Sequence, residues 1–246
     1  MAENDTRQLI NRFAELARRA DDTGFPQTTK FLNLAEQTEL LKLRLPVPFM
    51  LIGGYPNAER NIAVFGAEAG EDLSPPIVCI KISPVSKRFA DELTHRDFLG
   101  ALMAQGVTRE MLGDIIVAEN CGWLFCLDSI AEHIIESLTE VKRTSVRCAY
   151  SEPPETLFME PEPASFVIPS ERLDAVISAV YRIPREEAKL TVEKELVYID
   201  GRLAIKPAAQ LKEGSLVTVR GRGRFKFLGI ERETKKGKLR VEIIKY

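Results

Sequence analysis

The 246-residue chain is poor in the residues that most often build metal and redox centres, with only two histidines and four cysteines. Cys79, Cys121, Cys126 and Cys148 form no C-x-x-C pair. A tetrahedral zinc site using them with His95 and His133 would have to be assembled from scattered positions. Nor do four cysteines in a chain of this length form a disulfide framework. They are expected as buried thiols in strands, and no metal or cofactor is expected.

Long apolar runs are also missing. None approaches the ~20 residues that a membrane-spanning helix needs. The N-terminus, MAENDTRQLINRF, lacks the basic-then-apolar order of a signal peptide, and Glu3 and Asp5 come too early for a transit peptide. A cytoplasmic chain with no membrane partner is expected.

Complete catalytic signatures are lacking too. His95-Arg96-Asp97 has the form of a kinase catalytic loop, but the asparagine required five residues after the aspartate is replaced by Leu102. Gly221-Arg222-Gly223 runs on into Arg224-Phe225-Lys226, so the third glycine of a phosphate loop is missing. Gly53-Gly54-Tyr55-Pro56 has no following Lys-Ser/Thr and reads as a turn between strands.

What the chain does have is a separation of charge. Residues 170–246 carry eighteen Lys and Arg against eleven Asp and Glu, a net of +7, whereas the rest carries sixteen against twenty-five, a net of −9. The overall charge of −2 therefore hides a cationic module on an acidic body. Cations gathered on a small folded unit are the footprint of a polyanion, most often nucleic acid.

Local patterns inside the module are strong. Leu173, Val176, Ile177 and Val180 recur at i, i+3, i+4 and i+7, one apolar helical face. Pro184 suits the start of a second helix, on which Ala188 and Val192 form the inner edge, while Arg185 and Lys189 share another face, with Arg182 just before them. Asp200-Gly201 between Val197-Tyr198-Ile199 and Leu203-Ala204-Ile205 is a type I′ hairpin signal. One further strand, 216–219, leads into Arg220-Gly-Arg-Gly-Arg224 and a basic tail.

Arg172-Leu173-Asp174, the Arg182…Arg185…Ala188…Val192 helix, Val197-Tyr-Ile-Asp-Gly201, Lys206-Pro207 and Glu213-Gly214 together resemble the small RNA-binding fold named after ribosomal protein S-four. The resemblance implies a basic groove, formed by the second helix and the hairpin, that docks structured RNA by its phosphates. Arg172, Arg182, Arg185, Lys189, Arg202 and Lys206 are the expected groove residues, extended by Arg220, Arg222, Arg224 and Lys226. Arginine forks bind phosphate oxygens bidentately. Few aromatics are interleaved, which favours duplex or junction shape over splayed single strands. Two positions depart from the pattern. Glu195 stands where a glycine commonly ends the second helix, at a cost of ~1 kcal/mol if positive φ is kept, and Ser215 replaces the aspartate that usually follows Gly214.

FLNLAEQTELL (31–41), GGYPNAER (53–60), HRDFLGALMAQGVTREMLGDI (95–115) and VRGRGRFKF (219–227) resemble, in order and spacing, the bacterial YlmH family. That likeness implies association with ribosomes and a role in handling stalled large subunits that carry peptidyl-tRNA.

The expected fold class is α+β. Residues 1–75 read as an N-terminal helical and hairpin region, with helices around Leu9–Ala17 and Phe31–Leu43 and strands 49–52 and 62–65. Residues 76–150 show the order strand 77–82, helix 93–104 with a broken continuation to Leu112, strand 114–118, strand 123–127, helix 129–138, strand 144–150. This is the split-βαβ order of RNA-recognition-like domains. Trp123 and Phe125 alternate on one strand and are weighed as core packing, because the usual basic-glycine-aromatic signature is absent. Residues 151–167, with four prolines and four glutamates in SEPPETLFMEPEPAS, read as an acidic linker before the S-four-type domain at 168–246. Lys235-Lys-Gly-Lys238 reads as a solvated hairpin tip.

The resulting expectation is a non-catalytic, monomeric RNA-binding protein of the translation apparatus, whose partners are structured rRNA or tRNA and the large ribosomal subunit. Two alternatives stand beside it. One is a pseudouridine-synthase-type enzyme, suggested by Arg172-Leu173-Asp174, although the next three residues are Ala-Val-Ile. The other is a protein-interaction module using the acidic half.

Overall fold

The computed structural model describes residues 3–67, 74–234 and 237–246. The chain divides into two units, residues 1–159 and 160–246. The α+β class holds in both.

In unit one, α1 (Glu3–Thr23) buries Phe13, Ala17 and Ala20, the stripe that helical spacing selects. It is followed by a short strand β1 (Gln27–Thr28) and α2 (Leu34–Leu40). Asn33 caps α2: its side chain accepts from the Glu36 amide at 3.0 Å, and the Glu36 carboxylate accepts from the Asn33 amide at 2.7 Å. Strands β2 (Phe49–Ile52) and β3 (Ile62–Phe65) form a small sheet in the order β1-β3-β2.

Next come β4 (Ile77–Pro84), α3 (His95–Ala104), β5 (Leu112–Ala118), β6 (Cys121–Leu127), α4 (Ala131–Ser137), β7 (Glu140–Val141) and β8 (Thr144–Tyr150). The sheet order is β5-β6-β4-β8-β7, with antiparallel neighbours. Phe98 and Leu102 of α3 and Ala131 and Ile134 of α4 pack with Ile80, Ile82, Leu124 and Cys126 on one face of that sheet. Helix α3 stops at Ala104, and its expected continuation is a separate 3₁₀ turn at Arg109–Met111. The break falls at Gly106, whose φ is 80°.

The N-terminal region and the central sheet share one core. Phe31, Ile62 and Val64 from the first cluster with Leu127, Ile77 and Met111 from the second. They therefore form one unit, where the sequence suggested a boundary near residue 75.

Unit two opens with β9 (Ala164–Ile168). The second half of the expected linker is thus a strand, paired with the last strand of the unit through Leu239↔Ile168 and Val241↔Phe166. Proline crowding hid it, since the apolar alternation spans only Phe166 and Ile168. Helices α5 (Leu173–Tyr181) and α6 (Arg185–Glu193) follow. Then come β10 (Val197–Ile199), β11 (Arg202–Leu203), β12 (Leu216–Val219), β13 (Gly223–Glu233) and β14 (Leu239–Lys245). The six-stranded sheet runs β11-β10-β12-β13-β14-β9. What read as a basic tail is two long strands. Of the expected hairpin tip, Lys235 and Lys236 lie outside the described residues.

Asp200 and Gly201 take φ of 49° and 74°, the pair of positive values a type I′ turn requires. The Asp200 side chain also accepts from the Leu216 amide at 2.8 Å, fastening the hairpin to β12.

Helix α6 ends in a Schellman arrangement. The Leu196 amide reaches the Thr191 carbonyl at 3.3 Å and the Glu195 amide the Val192 carbonyl at 3.0 Å. Glu195 occupies the left-handed position at φ 58°, where glycine would be unstrained. Glu195→Gly is expected to stabilise unit two by about 1 kcal/mol, seen as a higher denaturation midpoint at unchanged m-value. An equal or lower midpoint would show that Glu195 carries a compensating contact.

Candidate nucleic-acid interface

The expected RNA-binding residues all lie in unit two, and a buried carboxylate organises the first group of them. Asp174 is 2% exposed. Arg172 donates to its Oδ2 at 2.9 Å and Arg185 to its Oδ1 at 3.3 Å. Arg172 precedes α5 and Arg185 opens α6 behind Pro184, so a single carboxylate joins the starts of two helices. Burial opposes ionisation of Asp174, but the hydrogen bonds and charges of Arg172 and Arg185 outweigh it and hold the pKa below the ordinary 3.8.

The loop after β11 closes over the same end. The Leu173 amide donates to the Ala209 carbonyl at 2.8 Å and the Asp174 amide to the Pro207 carbonyl at 3.0 Å. These bonds satisfy the otherwise unpaired first amides of α5, and they bring Lys206 to the ends that carry Arg172 and Arg185.

Arg182 closes α5 in the left-handed region at φ 52°, with the Ile183 amide reaching back to the Ser178 carbonyl at 3.1 Å. Its side chain is exposed in the short turn between α5 and α6. Lys189, one turn beyond Arg185, is exposed with Glu193 at 3.9 Å. Arg202 on β11 is half-buried.

The second group divides between two surfaces. Val197, Val217, Val219, Phe225 and Phe227 point into the core with α5 and α6. Side chains alternate along a strand, so Arg224 and Lys226 point to the opposite side of the sheet. Arg222 remains on the helix side, paired with Glu187 of α6. Arg220 turns away from it and lies over the Tyr198 ring, 4.7 Å from the centroid. Arg224 lies over Tyr246 at 5.1 Å, and Lys226 pairs with Glu160 at 3.4 Å. The single groove expected from Arg182 through Lys226 is therefore corrected to a helix-side cluster and a separate group on the outer face. The cause is the period of two through Val217, Val219, Phe225 and Phe227, which was legible in the sequence once β13 was known to be a strand.

Unit one contributes a different kind of site. Asp114 of β5 accepts from the Tyr55 hydroxyl at 2.9 Å and from the Glu59 and Arg60 amides at 2.7 and 3.3 Å. The Arg60 guanidinium donates to the carbonyls of Leu112, Phe31 and Arg109 at 2.8, 3.1 and 3.1 Å. Arg109 in turn donates to the Leu112 and Gly113 carbonyls at 3.0 and 2.9 Å. Burial raises the Asp114 pKa against its donors, lowers that of Arg60, and pushes Arg109 down to about 10. This cluster is the structural role of the GGYPNAER block.

Tyr55 is held between Phe125, at 4.8 Å between centroids, and Phe158, at 4.7 Å. A Cβ on Gly54 would come within 2.7 Å of the Phe125 ring. Phe125 is 2% and Trp123 7% exposed, so both are packed aromatics, with the Lys81 ammonium 4.5 Å from the Trp123 centroid. Asp97 of the His95-Arg96-Asp97 triplet accepts from the Thr94 hydroxyl at 2.6 Å and pairs with Lys142 at 3.0 Å, which hold its pKa near 2. It serves to cap α3. Cys79, Cys121, Cys126 and Cys148 all lie in strands as free thiols. Burial pushes the Cys79 and Cys126 thiols up to about 12 and Cys148 up to about 11. Among the described residues no cluster of three His, Cys, Asp or Glu could hold a metal ion, and no helix is long and apolar enough to cross a membrane.

Residues 76–154 match the family model described as "Putative RNA-binding domain in YlmH". Over that stretch the chain is similar to the YlmH family. It is 28% identical over 244 residues to the ribosome-associated protein quality control protein P2 of Bacillus subtilis (strain 168), covering 96% of this chain and 94% of that protein. Among solved structures it is similar to the cell division protein ylmH from Streptococcus pneumoniae, with a TM-score of 0.48 and 20% identity. That match covers 63% of this chain and 94% of the other.

The buried charges can be tested by substitution. Replacing Arg60 by Met or Lys removes a fork that serves three carbonyls. Either change is expected to destabilise unit one by on the order of 3 kcal/mol, read from the fluorescence of Trp123 during denaturation. An unchanged midpoint would show the cluster to be dispensable. Asp174, whose pKa is depressed by folding, stabilises unit two above its ordinary pKa of 3.8 and loses that contribution as pH falls through the lower folded value. Amide exchange in α5 should therefore accelerate below about pH 4, and Asp174→Asn should abolish that acid-dependent step. Persistence of the step in the variant would assign it to another group.

Proposed function

We propose that the chain is a non-catalytic RNA-binding protein of the translation apparatus, working in the cytoplasm on structured rRNA or tRNA at the large ribosomal subunit. In this reading unit two is an S-four-type RNA-binding domain and the sheet of unit one an RNA-recognition-like scaffold. The observation that carries it is the helix-side cluster. Arg172, Arg182, Arg185, Lys189 and Lys206 come from two helices and a loop tied together at Asp174, inside a segment of net charge +7. Positioned cations with few intervening aromatics suit the phosphate-lined shape of a folded RNA.

The B. subtilis relative's name, with its ribosome association and quality-control role, and the RNA-binding description of the family model support the same reading. The position of Asp174 supports a role without catalysis. A catalytic aspartate of the pseudouridine-synthase kind must meet its substrate, whereas this one is 2% exposed beneath two arginines. The face of the central sheet that RNA-recognition domains use for base stacking is occupied at Phe125 by Tyr55 and Phe158. The central domain therefore acts through its edges or loops.

Arg172 and Arg185 compensate a buried carboxylate, so mutating them confounds folding with binding. Arg182 and Lys189 test the surface more cleanly. The double variant Arg182→Glu with Lys189→Glu is expected to weaken binding of rRNA fragments at least ~100-fold and to lower the salt slope by about two counterions. It should also shift the protein from large-subunit fractions to the top of a sucrose gradient. Unchanged affinity and sedimentation would reject the reading.

A further inference from the structure

The outer face of the sheet in unit two holds a second set of cations that the helix-side cluster leaves unused. Tyr198, Thr218 and Arg224 lie side by side on β10, β12 and β13, through the pairs Tyr198↔Thr218 and Thr218↔Arg224. Arg220 covers Tyr198 and Arg224 covers Tyr246. Lys226, two residues along β13, points to the same side.

Two glycines make this division possible. Gly221 and Gly223 have φ of 81° and 103°, and the Arg222 amide bonds the Val219 carbonyl at 3.0 Å across the turn. The tight reversal sends Arg220 to one side of the sheet and Arg222 to Glu187 on the other. Three arginines alternating with glycine are thus dealt to two surfaces.

Arg220 is held differently from the helix-side arginines. On the helix side Arg172, Arg185 and Arg222 donate to carboxylates of Asp174 and Glu187. On the outer face the Arg220 guanidinium carbon stands over an aromatic ring, 4.7 Å from the Tyr198 centroid, a cation–π contact that steadies its charge. A ring-mounted fork of this kind suits a phosphate. An acidic group stands beside these cations: Glu160 accepts from the Tyr246 hydroxyl at 2.8 Å and pairs with Lys226.

We propose that this outer face is a second RNA-binding surface, with Arg220, Arg224 and Lys226 gripping the phosphodiester backbone of an RNA segment distinct from the one held on the helix side. The proposal rests on the RNA-binding reading of the helix side and extends it: the module bridges two segments of RNA, with Glu160 as a local counterweight that limits affinity on the outer face. Charge complementarity selects the occupant, since ring-held arginines and a lysine at neighbouring strand positions match the repeat of a polyanion.

The test uses the full chain and a fluorescein-labelled rRNA fragment, with affinity measured across a salt series and ultraviolet crosslinks mapped by mass spectrometry. Arg220→Ala with Arg224→Ala is expected to weaken binding about tenfold and to lower the salt slope by about two. Crosslinks at Tyr198 or Tyr246 should disappear in that variant while those on α6 remain. Glu160→Gln should act the other way, tightening binding several-fold, and a folding defect cannot mimic that result. In the helix-side variant Arg182→Glu with Lys189→Glu, the outer-face crosslinks should persist. Parental affinity in both outer-face variants, with no crosslink at either tyrosine, would overturn the proposal and leave the helix-side reading standing. Loss of neither surface's contribution, because the fragment does not bind the parent, would overturn both.

Discussion

The burial of one carboxylate between two helix starts governs unit two. Asp174 sits on a mostly apolar helix, and its charge is tolerable there because Arg172 and Arg185 come to it. That requirement orients α6 against α5 and fixes the turn in which Arg182 takes its left-handed conformation. It also places the loop whose Pro207 and Ala209 carbonyls cap α5. The cationic surface therefore follows from a folding constraint: two arginines are present to neutralise a core charge, and the exposed ones around them are positioned as a result. The Asp200-Gly201 turn does for the sheet what Asp174 does for the helices, tying β10 to β12 through one side chain.

Much of this could be read from the sequence, because the signals are local. The stripe Leu173, Val176, Ile177, Val180 gave α5, the Asp200-Gly201 pair gave the turn, and β2 and β3 fell at the expected residues. The positive φ of Glu195 was legible as the position of an absent glycine. Strand β9 was not legible, since its apolar residues are few and its pairing partner, β14, lies some seventy residues later. The split of the basic cluster was missed for a related reason. Charge counts have no direction, and only the register Val217↔Phe225 and Thr218↔Arg224 shows which cations share a face.

The GGYPNAER block shows another limit. Read alone, its glycines suggest a turn, and its Arg60 suggests no role at all. In the fold, Gly53 and Gly54 permit an approach of backbone to Ala58 and Phe125 that any Cβ would block. Tyr55 fills the space so created, and Arg60 reaches across to β5. Nothing in the local spacing announces a partner as distant as Asp114. The same joint helps to explain why the N-terminal region and the central sheet form one unit, since its part-buried bonds link the two alongside their shared apolar core.

The chemistry of that joint has a consequence for how the sequence can drift. Arg60 donates to main-chain carbonyls of Phe31, Arg109 and Leu112, and a carbonyl is supplied by whatever residue stands at its position. As far as these bonds are concerned, three of the four positions are free to vary. Position 60 is not, because no other side chain presents a charged fork of that reach. Such a contact is expected to leave a lopsided record among descendants, with an arginine retained while the residues that offer it carbonyls change. Searches for coupled substitutions would pass over the Arg60 half of that joint and register only its side-chain pair, Tyr55 with Asp114.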